Sequence, residues 1–412
     1  MPVVGSWKDL WVLLSMDNDL KKIEFFKVMA EGIEDEGSRD LVKKYLPRIR
    51  SEKKCTTDWA KKTNSLAKEF ANAVGWTYKD YRNFKSTGKA HEFQRIICSG
   101  LYKNINWNTI PGKALLNLVS GKFLKEHNLE ESYINWLEKQ PVAKFNGYPY
   151  ELGMKLGDSY AMPSLVTKLT IDKQFDNLIK TAKSDDGSIK GNVLCALDTS
   201  GSMEGRIQGG PAGLTSYDVC ISLGIYFSEL NTGAFHNHVV MFDDTSRMLE
   251  LKGSFTDKWF QIRHEKTAWG STEVTSIARL LVNAKRQNKS IPIEDFPQTW
   301  LIVSDMQFNS CGNKSNYETI KDILRAEFPD EWVDGLRIIW WQCANRYGAV
   351  QDVPATIDMP GMYLFSGFDG SVVSLLLGGE TVVDETGKTV QPSMEEMVNI
   401  ALSQEVLTLV QK

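Results

Sequence analysis

Between residues 58 and 140 apolar residues recur every three or four positions. In DWAKKTNSLAKEFANAVG, Trp59, Leu66, Phe70 and Val74 fall on one helical face and lysines on the other. HEFQRIICSGLYKNI, IPGKALLNLVSGKFLKEH and LEESYINWLEKQ repeat the pattern between Gly, Asn and Pro breaks. No fixed repeat period appears, so residues 1–185 read as an irregular, HEAT-like α-helical module. Its last helix spans 162–183, and SDDGSIKGN follows as a linker.

From residue 192 the period changes. NVLCAL and TWLIVSD are compact apolar runs, as strands buried on both faces require. LRIIWWQCA and MYLFSGF are two further strands, and HVVMFDD with RMLEL reads as a hairpin. Helical patterns at 216–230, STEVTSIARLLVNAKRQ and NYETIKDILRAEF alternate with them. This predicts a doubly wound, mostly parallel α/β domain over 190–380, with helices on both faces of the sheet. TVVDETGKTV reads as a late hairpin, and a capping box from Ser393 to Glu396 opens a last helix. Residues 381–412 are therefore expected to pack back on one of the two domains.

Charge sharpens the division. The chain has 412 residues and a net charge of −4. Residues 1–190 hold 31 Lys and Arg against 24 Asp and Glu, a net of +7, which leaves −11 for the remainder. A basic half joined to an acidic half suggests two surfaces with different partners. The six cysteines lie far apart, without a C-x-x-C pair, and read as free thiols of a reducing compartment. No apolar run reaches the length of a membrane span, and MPVVGSWKDLWVLLSM lacks a secretion pattern, so a cytoplasmic location is expected.

Candidate chemistry gathers at the strand ends. Asp198, Ser200 and Ser202 follow the first strand as D-x-S-x-S, Thr272 precedes a helix in WGSTE, and Asp305 ends the strand in VSDMQF. Each piece alone also suits a turn or a helix cap. Together they form an oxygen-only set at one sheet edge, which selects magnesium, or manganese or calcium, over zinc or copper. Two carboxylates balance a divalent ion, and a remaining position would accept an acidic group from a partner. No general base for hydrolysis stands beside them.

LDTSGSM, GST and SD resemble the metal-ion-dependent adhesion site of von Willebrand factor A domains. WGSTEVTSIARLLVNA, LIVSDMQFN, IIWWQCANRYGAVQDVP and YLFSGFDGSVVSLLL resemble a narrower family of unknown function from plants and large phages. More remotely the chain is similar to the Ro autoantigen (TROVE) family, which joins a helical repeat module to the same domain and binds small structured or misfolded RNA. The resemblance implies a Rossmann-like C-terminal domain whose cation is held by Asp198, Ser200, Ser202, Thr272 and Asp305. For a phage-encoded chain it also implies the host cytoplasm. Where von Willebrand A domains usually carry Thr-Asp-Gly, this chain has Ser304-Asp305-Met306, so the loop after the aspartate is expected to differ in shape.

In the helical half, Trp59, Trp76, Tyr78, Tyr81, Phe84 and Trp107 interleave with Lys61, Lys62, Lys79, Arg82, Lys85 and Lys89. Such a mixture can track a single-stranded or structured RNA, or it can be core aromatics beneath a solvated face. His236 and His238 read as a surface loop pair, Asp243-Asp244 as a hairpin turn and Glu273 as a support for the metal loop. The expectation is a non-enzymatic, Ro-like binding protein that docks a protein partner's acidic residue through bound metal and contacts RNA through its helices. The alternative is a protein–protein adaptor or assembly subunit, such as a ring-ATPase partner or phage assembly factor. A metal-dependent hydrolase ranks third.

Overall fold

The computed structural model describes residues 22–86, 92–157, 163–184, 192–207, 210–232, 234–265, 270–343, 361–366, 382–383 and 389–390. Among them the chain divides into two compact units, the division falling between Asn106 and Trp107.

The first unit is helical: α1 Lys22–Glu34, α2 Arg39–Tyr45, α3 Asp58–Ala73, α4 Tyr78–Ser86 and α5 Glu92–Ser99. Thr57 caps α3 by accepting the Ala60 N–H at 3.2 Å, satisfying one of the orphan donors of its first turn. Phe26 and Met29 of α1, Leu66, Ala67 and Phe70 of α3, and Tyr81 of α4 close one core. The buried stripe of α3 is narrower than its sequence suggests, because Trp59, in the first turn, is 53% exposed.

The second unit opens with α6 Gly112–Val119, α7 Phe123–Glu126, α8 Glu130–Glu138, α9 Pro149–Gly153 and α10 Leu165–Ser184. It continues through β1 Val193–Asp198, α11 Ser216–Leu230, β2 His238–Phe242, β3 Ser246–Glu250, α12 Phe255–Glu265 and α13 Ser276–Gln287. Then come β4 Thr299–Ser304, α14 Asn316–Leu324, α15 Asp330–Asp334, β5 Arg337–Gln342 and β6 Met362–Ser366. The six strands form one sheet in the order β3-β2-β1-β4-β5-β6, parallel except for the hairpin partner β3. The late hairpin is present as β7 Val382–Val383 paired antiparallel with β8 Thr389–Val390. The expected final helix lies outside the described residues.

Alternation along the strands sorts the sheet's two faces. Leu194, Ala196, Phe242, Trp300, Ile302 and Trp340 face a core shared with α13 and α14. The opposite face receives α11, set so close that a Cβ on Gly224 would come within 2.5 Å of the Leu197 side chain. Nearly every residue of α11 is buried, as an all-round apolar helix must be. The sheet covers only one side of it, and α9, α10 and α12 roof the other. A Cβ on Gly153 of α9 would strike the Trp259 ring of α12 at 2.3 Å, so glycine is what lets these helices touch. Lys168 of α10 ion-pairs with Asp257 at 2.7 Å, and Asp172 accepts the Thr256 N–H at 2.9 Å.

Residues 107–184 thus belong to the α/β unit, whereas the local sequence pattern places a division near residue 185. The helix α12 was also not foreseen. FTDKWFQIRHE looks too charged for a core helix, but Lys258 is buried against Glu229 and Asn237, and Arg263 is half-buried against Asp218. Among the described residues no helix is long and apolar enough to cross a membrane.

Candidate metal centre

The order of strands reverses between β1 and β4, the position at which open α/β sheets leave a crevice at their carboxyl ends. Asp198 closes β1 there and is fully buried. Its Oδ1 accepts the Ser200 N–H at 2.9 Å, and its Oδ2 accepts the hydroxyl of Ser304, the last residue of β4. Thr199 donates both its N–H and its hydroxyl to the Phe242 carbonyl, at 2.9 and 3.1 Å, which turns that hydroxyl away toward β2. Ser200 and Ser202 are left as the neighbouring hydroxyls of the loop, their oxygens 3.2 Å apart. The loop returns to α11 through an isolated bridge between Arg206 and Thr215 and a capping box between Thr215 and Asp218.

Asp305 follows β4 and is 5% exposed. Its Oδ1 accepts the Gln307 N–H at 3.4 Å, and its Oδ2 is buried without a hydrogen-bond partner. Among the described residues neither aspartate has a Lys or Arg partner. Burial pushes the Asp198 carboxyl up to about 6; donors from Ser200 and Ser304 oppose the shift, and the charge of Asp305 adds to it.

Met306 takes φ 64°, a left-handed conformation that glycine adopts freely and other residues at a cost of about 1–2 kcal/mol. The Met306 N–H donates to the Ser304 hydroxyl at 3.0 Å, and its side chain is buried in the core below. The Asp305 turn therefore bends as a glycine would bend it, held by packing instead.

Thr272 is placed by both flanking loops. Glu273 donates its N–H to the Asp243 carbonyl beyond β2, while the Thr272 carbonyl accepts the Asn309 N–H and the Thr272 N–H donates to the Asn309 side-chain oxygen beyond β4. Since β2 and β4 flank β1, the 271–273 segment bridges the end of β1 where Asp198 sits. The loops that carry Asp198 with Ser200 and Ser202, Thr272, and Asp305 thus lie at the carboxyl ends of neighbouring strands.

The donor set is hard and anionic: two buried carboxylates, one with an unmatched oxygen, and three hydroxyls. That composition fits magnesium, manganese or calcium and lacks the nitrogen or sulfur donors that zinc prefers. Among the described residues no three of His, Cys, Asp and Glu gather as a metal-holding group, so the fit depends on the hydroxyls.

Asn309 was not singled out from the sequence, and Ser304 and Met306 were noted only as a departure from Thr-Asp-Gly, although a hydroxyl ending the strand beside β1 was a readable signal for the role of Ser304. The Glu273 carboxylate accepts from Thr275 and lies 3.7 Å from Arg279; its backbone shapes the loop rather than its side chain. His236 and His238 each turn a ring nitrogen to a backbone carbonyl.

The candidate nucleic-acid residues of the helical unit fare differently from one another. Lys85 donates to the Lys43 and Lys44 carbonyls at 2.8 and 2.9 Å and so caps α2, which withdraws its ammonium from any ligand. Tyr81 is buried, and Trp76 and Phe84 pack on the same core. Trp107 is buried in the other unit. Trp59 and Tyr78 are exposed, as are Lys61, Lys79 and Arg82, while Lys62 is half-buried. Lys61 pairs with Asp58, and Lys89 lies outside the described residues.

A family model described as "Domain of unknown function (DUF7788)" matches residues 192–408, just over half of the chain. The chain belongs to this family. The DUF7788 region contains all five candidate metal residues. The "Uncharacterized protein L728" of Acanthamoeba polyphaga mimivirus is 24% identical to the chain over 332 residues, 76% of its length. The chain spans 54% of that curated relative. The solved structure of the Ro (RSR) protein of Deinococcus radiodurans aligns with 90% of this chain and 86% of its own, at 12% identity and a TM-score of 0.41.

Proposed function

We propose that this DUF7788 protein is a non-enzymatic, metal-dependent binding protein whose C-terminal part is a von Willebrand A-type domain. Asp198, Ser200, Ser202, Thr272 and Asp305 would hold a divalent cation, magnesium in the first instance, which when bound supplies a Lewis-acidic docking point for a carboxylate or phosphate of a partner. The observation behind this reading is the Asp305 Oδ2, buried and unmatched beside an equally buried Asp198. Two adjacent interior carboxylates with no basic partner are costly unless a cation or a proton joins them. Among the described residues, the donors to these carboxylates are the Ser304 hydroxyl and the backbone N–H groups of Ser200 and Gln307, and no turnover is proposed for them. Any RNA contact of the helical unit would rest on Trp59 and Tyr78 with Lys61, Lys79 and Arg82.

Calorimetric titration of the intact protein with Mg2+ tests the centre. One ion per chain is expected for the wild type and none for Asp305→Ala. A wild type that takes up no Mg2+, Mn2+ or Ca2+ removes the proposal. Comparing what co-purifies in Mg2+ with what co-purifies in EDTA then identifies the docked partner.

A further inference from the structure

Thr272 does not hold its own place. Asp244, just past β2, accepts the Ser271 N–H at 2.8 Å and the Ser271 hydroxyl through the same oxygen. Asn309 donates its side-chain N–H to that hydroxyl at 2.9 Å, and its side-chain oxygen accepts the Thr272 N–H at 3.3 Å. The Asn309 backbone N–H closes the ring on the Thr272 carbonyl at 2.9 Å. Gly270 admits the arrangement, because a Cβ there would meet the Asp244 carboxylate at 2.5 Å.

We propose that Asp244 and Asn309 are positioning residues that clasp the Ser271–Thr272 turn between the loops after β2 and β4, and so set cation affinity through the Thr272 hydroxyl. The inference rests on the cation centre proposed above. Two features of the clasp favour positioning over stability. Asp244 and Ser271 are exposed, where hydrogen bonds contribute little to folding. Yet every bond converges on the turn that carries Thr272. The clasp also spans three loops distant in sequence, so it fixes Thr272 relative to the ends of β2 and β4 and not merely relative to its own helix. Groups that orient metal ligands commonly alter affinity about 10–100-fold when removed.

The test is Mg2+ calorimetry on the full chain, paired with melting temperatures measured in EDTA. Asp244→Ala and Asn309→Ala are expected to weaken Mg2+ binding about tenfold or more while melting as the wild type does without metal. Asp244→Asn keeps an oxygen for both Ser271 bonds and is expected to retain most of the affinity. The double alanine variant should lose less than the product of the two single losses, since both act on one turn. If the wild type binds and Asp244→Ala binds equally well, the clasp is overturned and the centre stands. If Asp244→Ala loses affinity only together with its EDTA melting temperature, the role is structural and the positioning claim is overturned. A wild type without affinity overturns the centre itself, and the clasp with it.

Discussion

Ser304, at the end of β4, donates its hydroxyl to Asp198, at the end of β1, and accepts the N–H of Met306 in return. One side chain thereby joins the two central strand ends and shapes the turn that carries Asp305. The donor favours the ionised form of Asp198. Ser304→Ala is expected to lose about 1.5–3 kcal/mol at pH 7, the usual worth of a buried hydrogen bond to a charged group. The loss should shrink near pH 4.5, where Asp198 is protonated. Urea melts at the two pH values check this, and equal losses would contradict it.

The raised Asp198 carboxyl makes cation-free stability depend on pH. Its folded value of about 6 lies above its ordinary 3.8. Its stabilising contribution is therefore complete below pH 3.8 and is lost as pH rises through 6. The shift corresponds to on the order of 3 kcal/mol. In EDTA the contribution of this group should decline between pH 4 and 7. Mg2+ should restore stability above pH 6 and have little effect at pH 4.5, because binding needs the ionised carboxylate. Denaturant midpoints across pH with and without Mg2+ read both effects.

The boundary between units predicts which fragments fold. α11 is buried on its outer side by α9, α10 and α12. A fragment starting at residue 190 exposes that side together with Trp259 and is expected to aggregate. A fragment starting at residue 107 keeps the Lys168–Asp257 and Asp172–Thr256 links and is expected to fold cooperatively. Soluble yield and thermal unfolding distinguish them, and a well-folded 190–412 fragment would contradict the packing argument.

Within the helical unit, lysines on adjacent turns should behave differently. Lys85→Ala removes the α2 cap and is expected to lower stability by about 0.5–2 kcal/mol. Lys79→Ala with Arg82→Ala should leave stability within about 0.5 kcal/mol, as surface changes usually do. If the unit binds RNA, that pair should weaken retention at low salt and flatten its salt dependence. Filter binding with single-stranded RNA measures it.

The parallel strands were legible because burial on both faces demands runs such as VLCAL and WLIVS, which few other environments tolerate. The candidate residues at their ends stood out for the same reason: polar residues stop those runs abruptly. α12 was hidden, since Lys258 and Arg263 look solvent-facing until Glu229 and Asp218, from another helix, are seen to neutralise them. The roof over α11 had one sequence signal, the lack of a polar face in SYDVCISLGIYFSEL, but nothing local says which helices supply the cover. The Asp244–Ser271–Asn309 clasp was equally unreadable, because its three loops become neighbours only when the sheet forms.

The bonds that Asn309 makes to Thr272 have a consequence for synthesis. A nascent chain must extend past residue 309 before Thr272 can be seated, although β1 and the D-x-S-x-S loop emerge about a hundred residues earlier. Until then the ribosome-bound protein holds Asp198 without its full complement of oxygens. Were the proposed centre to take up a divalent ion, that ion would lock the finished sheet and would not template the folding of its first half.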